Sequence, residues 1–391
     1  MAMIPGIELE ALVRDDGVHR RVYTDPEIFE MEMKSIFTRT WVYVAHESEV
    51  AQGGDYKTTW IGRQPVIVTR NSDDGQIYVL NNSCRHRAAL VCYEERGNSN
   101  YFRCVYHGWT YSNRGDLTGV TFRDGYGADF DYAKRGLIPV AKVGNYRGFI
   151  FASMSEDVPS IEDYLGYARE YIDWLVAQAP GGLEIKAGIV RHRVNSNWKL
   201  PMENTIDNFH FDTVHHSVQE VYRKRTGKPF YTRGAEATSF SFENGHGGFD
   251  FRGPGTPIGV GGASQWNLVI FPNLALSGVE IRVFRPISVD KAEYWRYPIT
   301  LNGAPQELNE QRLRMHERVF SPAGFVSPDD VEILDWHLQH GGLQSEANEW
   351  LLLGRGMNRQ TVDERGVRWA DVTDEVQLRG FYRQWKKMMA G

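Results

Sequence analysis

The sequence predicts a two-domain α+β protein, with an N-terminal all-β domain ahead of a larger domain built on an antiparallel sheet flanked by helices. Three observations carry this. At 391 residues the chain exceeds what one hydrophobic core usually organises. From Gly54 to about Phe151, short β-rich runs (Tyr56 to Ile61, Pro65 to Thr69, Gln76 to Leu80, Phe149 to Ala152) alternate with Gly, Asn and Asp punctuation. Beyond Ala179-Pro180-Gly181-Gly182 the pattern mixes helical and strand-like stretches. The first domain is assigned to residues 41–157, and the second to 1–40 together with 158–391.

Taken in order, Thr24-Asp25-Pro26-Glu27 opens a helix to about Thr40, with a capping side chain and proline in the first turn. Ser160-Ile-Glu-Asp163 starts another that ends near Ala179. A strand-like run from Leu183 to Val194 leads into a helix over Met202 to Val221. Gly245 to Gly262 reads as a mobile glycine-rich loop, Trp266 to Phe271 and Val279 to Val289 as strands, and the stretch from Pro305 onward as helical.

Composition excludes several classes. A hydrophobic fraction of 41% and a charged fraction of 24% are those of a folded globular chain. A net charge of −6 with no basic stripe argues against a nucleic-acid partner. No membrane-length apolar run or signal-like N-terminus is present, so no membrane partner and a cytoplasmic location are expected. Three cysteines are too few for a disulfide framework. Cys92 lacks a ligand-like partner and reads as a small buried hydrophobe.

The other two cysteines each precede a histidine. Cys84-x-His86 and Cys104-x-x-His107 put one thiol and one imidazole on each of two loops. A zinc finger pairs like with like within each half. A Rieske [2Fe–2S] cluster takes two thiolates on one iron and two imidazoles on the other, so each loop supplies one of each. Neutral imidazoles make that cluster easier to reduce than an all-cysteine one, at roughly −150 to +300 mV against about −400 mV. Gly108 permits close backbone approach, and Trp109 is placed to cover the cluster.

A second constellation follows at Glu203, Asp207, His210, His215 and His216. On a continuous helix Glu203, Asp207 and His210 share one face, while His215 and His216 fall far round it in opposite directions. The helix must be distorted or end there if two histidines hold one metal, and helical angle does not choose between them. Two histidines and a carboxylate make the facial triad of non-haem iron oxygenases. The carboxylate is sought in Ser327-Pro328-Asp329-Asp330, a helix start with a capping Ser and an early Pro. Asp207-x-x-His210 and Asp212-x-x-His215 are also similar to di-iron ligand pairs, but in bundles these come from separate helices. A Rieske electron carrier without catalysis would leave the second domain without purpose, and a structural zinc site is the third alternative.

Together these residues resemble the α subunit of Rieske aromatic ring-hydroxylating dioxygenases, most closely the benzoate, toluate and anthranilate group with the salicylate hydroxylases. Further matching stretches are Trp41 to Ser48, Ile61 to Pro65, Asn197 to Leu200 with Glu203-Asn204, Phe271-Pro-Asn273 and Arg285 to Asp290. The resemblance implies a helix-grip, START-like catalytic domain, His210, His215 and Asp330 on a mononuclear Fe(II), and Cys84, His86, Cys104 and His107 on the cluster. It implies that Asp207 links His107 of one subunit to the iron-binding histidine of the next, in a homotrimer of α subunits or an α3β3 assembly. It also implies electrons from NAD(P)H through a reductase, with or without a ferredoxin, and a pocket involving Asn204, Asn208, Phe211 and Val326. The implied reaction uses O2 on an aromatic ring, by cis-dihydroxylation of a benzoate-like or other polar-substituted arene. Monohydroxylation and O- or N-demethylation are the alternatives on the same scaffold. The chain is shorter after Asp330 than benzoate-type members.

Overall fold

The computed structural model describes residues 8–185, 187–229, 236–251 and 266–390. The chain forms two compact units, Phe37–Ile161 and Met1–Ile36 with Glu162–Gly391.

The smaller unit is all antiparallel sheet. Ile77–Asn81, Gln64–Arg70, Asp55–Ile61 and Arg96–Asn98 form a four-stranded sheet in that order. Leu117–Gly119, Thr110–Ser112 and Tyr101–Arg103 form a second, and Lys142–Tyr146, Phe149–Ser153 and Val42–His46 a third. The strands supply Ile67, Leu80, Phe102, Tyr111 and Leu117 and the loops between them Val91, Trp109 and Leu137, which pack around the side chains of Cys84 and Cys104. Cys92 is buried in the same core, as its lack of a partner suggested.

The larger unit holds a nine-stranded antiparallel sheet. Its order is Val190–Val194, Lys291–Pro298, Glu280–Ser288, Leu274–Ser277, Trp266–Ile270, Gly247–Asp250, Thr238–Ser241, Arg368–Asp371 and Thr361–Val362. The C-terminal helix Val376–Ala390 packs across the middle strands at a point of close approach: a Cβ on Gly380 would stand 2.6 Å from Ser241 Cβ. The N-terminal helix Pro26–Glu32 is capped by Asp25, whose side chain accepts from the amides of Glu27 and Ile28. Its last residue, Glu32, is fully buried and accepts from Lys199 Nζ (2.6 Å), Trp385 Nε1 (2.6 Å) and Trp198 Nε1 (2.8 Å). A buried carboxylate with three donors, one of them cationic, is stabilising only as a complete set, and here it ties the N-terminal helix to Lys199 and the C-terminal helix of the larger unit.

Three sequence expectations change. Gly247–Asp250 is a buried strand rather than loop, while 252–262 lies outside the described residues. Strands at Trp350–Leu352, Thr361–Val362 and Arg368–Asp371 interrupt the region read as helical from Pro305 onward. They are too short to carry a period of their own and exist by pairing: Trp350–Leu352 with Gly17–His19 and Arg368–Asp371 with Thr238–Ser241 far along the chain, and Thr361–Val362 with Arg368–Asp371 next to it. The helix beginning near Ser160 is two, Ile161–Leu165 and Ala168–Ala177, separated at Gly166 with φ +48°.

Three buried histidines couple the stability of this fold to pH. His246 donates through Nε2 to the Tyr164 carbonyl (2.9 Å) and accepts the Phe271 amide at Nδ1 (3.0 Å). Burial lowers its pKa from 6.5 to about 4, and burial does the same for His46 and His192. The unfolded chain therefore binds protons below pH 6.5 that the native chain refuses, so stability falls with pH from 6.5 to about 4. His246 alone accounts for up to about 3 kcal/mol of that loss. Urea unfolding at pH 7, 5.5 and 4.5 should show a pH slope shallower by about one proton in His246→Gln than in the parent; an identical slope would exclude His246 as a contributor.

Candidate metal centres and active site

The two cysteine loops share one construction. The Cys84 amide donates to the Ala89 carbonyl and the Cys84 carbonyl accepts from the Ala88 amide (2.8 and 2.9 Å). Cys104 repeats this with Trp109 and Gly108 at 2.8 and 2.9 Å. The fourth residue after each cysteine is left-handed, Ala88 at φ 56° and Gly108 at φ 72°. Ala88 shows that this conformation does not demand glycine, but at 108 a Cβ would also lie 2.4 Å from Thr121 Oγ1.

These loops bring the four side chains together as a thiol pair and an imidazole pair. Cys84 and Cys104 are buried neighbours, and burial raises the Cys104 pKa. The His86 and His107 rings lie 4.5 Å apart between centroids. His86 Nδ1 is buried with no hydrogen-bond partner among the described residues, an orphan a metal would satisfy. Trp109 stacks on His86 at 5.1 Å and 10°. Tyr111 was not singled out from sequence, yet its hydroxyl lies 3.2 Å from Cys84 Sγ. The same oxygen accepts the Arg85 amide (3.0 Å), and toward a Cys84 thiolate, which can only accept, the hydroxyl would be the donor. A hydrogen bond to a ligating sulfur is one of the levers that sets cluster potential. Its only sequence signal was an aromatic residue two positions beyond Trp109.

In the larger unit the expected single helix from Met202 to Val221 is broken, and the break makes the second site. Lys199–Ile206 ends at Asp207, which is extended at φ −87°, ψ 114°. A short helix Phe211–Val214 follows, then His216–Thr226. Glu203, Asp207 and His210 therefore do not share one helical face. Glu203 instead accepts a hydrogen bond from the Tyr382 hydroxyl, and burial lifts its pKa to about 7.

His210, His215 and Asp330 meet, each offering an atom within 4.8 Å of the others. Asp330 Oδ1 lies 3.5 Å from His210 Nε2 and 3.1 Å from His215 Nε2. The far nitrogens are held by two more carboxylates: His210 Nδ1 donates to Asp207 Oδ2 (3.1 Å) and His215 Nδ1 to Asp329 Oδ2 (3.3 Å). Asp207 and Asp329 engage the Nδ1 side of each ring, which leaves each Nε2 facing Asp330 Oδ1 as the atom that would coordinate a metal, with Asn204 Nδ2 also 3.3 Å from His210 Nε2. His216 is exposed at the start of the next helix. The choice between the two aspartates thus has a structural counterpart, with Asp330 facing both Nε2 atoms and Asp329 orienting a ring. Burial would lower the His210 pKa, but Asp207 and Asp330 outweigh it and raise it to about 10. Burial likewise opposes ionisation of Asp330, and His210 and His215 outweigh it to hold the carboxyl well below its usual range. An anionic carboxylate between two directed imidazoles is a donor set that suits a divalent iron.

The expected cap at Ser327 is a correction. The helix Ser327–Glu332 begins after Val326 with no side-chain cap, and the Ser327 hydroxyl donates to the Phe320 carbonyl (3.2 Å). That bond fixes the turn presenting Asp329 and Asp330 from the helix's first turn.

Residues 40–126 match the Rieske [2Fe–2S] domain family, and residues 161–391 match the ring hydroxylating alpha subunit (catalytic domain) family. This chain belongs to the ring-hydroxylating α-subunit family. Toluate 1,2-dioxygenase subunit alpha of Pseudomonas putida is 36% identical over 375 residues, covering 85% of this chain and 82% of that protein. Anthranilate 1,2-dioxygenase large subunit of Acinetobacter baylyi is 32% identical over 391 residues, covering 89% and 82%. Naphthalene 1,2-dioxygenase solved with indole in its active site superposes with a TM-score of 0.85 at 27% identity, covering 97% of this chain and 94% of that one. As a ring-hydroxylating α subunit the protein is a terminal oxygenase component and a Rieske non-haem iron enzyme, with a [2Fe–2S] cluster, a mononuclear iron and reducing equivalents from a reductase. No helix among the described residues is long and apolar enough to cross a membrane.

In this α subunit a cavity of about 140 Å³ opens against the triad. Asn204, Asn208, Phe211 and Val326 all line it, with Phe249, Met315, Val319 and Phe320 as further apolar wall. Asn204 Nδ2 donates to Asp330 Oδ1 (3.1 Å), so this asparagine positions the carboxylate as well as bounding the cavity. Arg282 and Arg296 also line it, and neither was picked out in the sequence. Their strands carry other charges, Glu280 and Arg285 on one and Lys291 and Glu293 on the other, so nothing in the sequence set these two apart.

Proposed function

We propose that this α subunit cis-dihydroxylates a single aromatic ring carrying a carboxylate or comparably polar group. The observation that carries this reading is the cavity at the triad. Its 140 Å³ is close to the size of engineered protein cavities that hold one benzene. The relatives' names, toluate, 2-halobenzoate and anthranilate dioxygenases, point to the same substrate class.

In this reading Cys84, His86, Cys104 and His107 hold the cluster, and His210, His215 and Asp330 hold the iron. When bound, the cluster supplies electrons and the iron the means to activate O2. The chain's own part is placement. Asp207 and Asp329 keep the protons on the Nδ1 atoms of His210 and His215. Phe211, Phe249, Val319 and Val326 keep the ring dry and against the triad. Asp207, a quarter exposed, is free to accept from His107 of a neighbouring subunit in a head-to-tail trimer, with or without a small β subunit. The assembly works in the cytoplasm with an NAD(P)H-dependent reductase and, where the reductase requires it, a ferredoxin.

The test is a product screen with a surrogate reductase over benzoates, salicylates, anthranilates and unsubstituted arenes. A cis-diol from a monocyclic carboxylated ring is the expected product. Phenols alone, dealkylated products alone, or turnover confined to bicyclic hydrocarbons would replace this reading with one of its alternatives.

A further inference from the structure

Arg282 and Arg296 line the cavity together with His210, His215 and Asp330, and nothing in the positioning of the triad requires them. They stand opposite one another on the paired strands Glu280–Ser288 and Lys291–Pro298. Both are buried. A single carboxylate serves both: Glu280 Oε1 accepts from Arg282 Nε and from Arg296 Nη1 (2.9 Å), and Oε2 accepts from His316 Nε2 (2.9 Å). Burial opposes ionisation of Glu280, but Arg282 and Arg296, with His316, outweigh it and hold the carboxyl well below its usual range. Two buried guanidiniums thus share one hydrogen-bonded carboxylate, and Asp330 acts on both through space. The other carboxylates lining the cavity, Asp207 and Asp330, are engaged with the histidines.

The hydrogen bonding is incomplete in the same place. Arg282 Nη1 donates to Thr205 Oγ1 (3.1 Å), yet Arg296 Nε is buried without an acceptor among the described residues. Asn208 Nδ2, across the same lining, is also a buried donor without one. Buried donors left open and a buried cation in excess are costly unless a ligand supplies what is missing. The face of Phe320 lies 5.1 Å from the Arg282 guanidinium and 4.8 Å from that of Arg296, which holds both cations beside an apolar slot.

We propose that Arg282 and Arg296 form the receptor for the substrate's carboxylate, with Asn208 as a further donor, so that the arene lies between this cationic wall and the triad. The inference rests on reading the cavity as the substrate site, and it names the charge that site selects. A carboxylate supplies both the missing negative charge and the missing acceptors. A neutral ring of the same shape supplies neither.

Calorimetric binding to the metal-loaded protein compares benzoate with benzamide, its neutral isostere. Benzoate should bind at least about 10-fold tighter, the scale of a charged hydrogen bond. Arg296→Met should weaken benzoate by about 10- to 100-fold and leave benzamide within a few-fold, with Arg296→Lys intermediate. Steady-state kinetics should show the loss mainly in KM. Because Arg296 sits in a buried ion cluster, Asn208→Leu serves as a second variant that removes an unpartnered donor, and it should reduce benzoate affinity selectively. Equal affinity for benzoate and benzamide in the parent protein overturns the arginine assignment while leaving an arene site standing. Binding of neither overturns that assignment and the reading of the cavity together.

Discussion

Asp330→Ala should strip the mononuclear iron and leave the Rieske cluster untouched. The iron content falls by one atom per chain, the visible and EPR signature of the cluster persists, and oxygenation drops by more than about 100-fold, beyond what loss of an outer partner alone usually costs. The reason lies in the geometry: Asp330 Oδ1 is the one carboxylate atom facing both His210 Nε2 and His215 Nε2. Without it two neutral imidazoles remain, a weak set for Fe(II). Asp329→Ala is the control. It frees His215 Nδ1 but removes no ligand, so iron should be retained with weakened affinity. Full iron loading in Asp330→Ala with loss in Asp329→Ala would reverse the two assignments.

Asp207→Ala should have the second largest effect and a different signature. Both metal sites fill, the cluster is reduced normally by the donor, and turnover nevertheless falls by about 10- to 100-fold or more. Asp207 holds His210 Nδ1 at 3.1 Å, and its own Oδ1 is fixed by the Phe209 amide at 2.7 Å. Loss of orientation accounts for part of the effect. The remainder is attributed to the proposed contact with His107 of a neighbouring subunit, and a single-turnover experiment separates the two. With pre-reduced protein, substrate and O2, the cluster should stay reduced in Asp207→Ala. Prompt cluster reoxidation with lost product would leave only the orienting role, and full activity would reject both.

Much of this site was legible before any coordinates. Cys84, His86, Cys104 and His107 are four residues within two short loops, and local spacing is enough to carry a ligand set when each loop closes on itself through its own backbone. The sheet strands of the smaller unit were legible for a similar reason, since hairpin partners such as Asp55–Ile61 and Gln64–Arg70 adjoin in sequence. The stretch from Glu203 to His215 was legible as chemistry but not as shape. Periodicity extends a helix through it, and the break at Asp207 exists because that carboxylate caps the Phe209 amide and holds His210. Arg368–Asp371 was illegible because a four-residue strand is made by its neighbour Thr238–Ser241 rather than by its own pattern.

By itself the sequence determined the order of the domains and the membership its motifs announce, and it singled out the two candidate metal constellations, because such information sits in residue identity and short spacing. Only the tertiary structure decided which nitrogen of each histidine faces Asp330, that Asp329 and Asp330 make different contacts, and that Tyr111 reaches Cys84. It alone placed Arg282 and Arg296 on the cavity wall. Most of these depend on groups far apart in the chain being brought together, as Asp329 is to His215 and Tyr111 to Cys84, and the sheet and helix ends that hold them there form only when the whole unit packs.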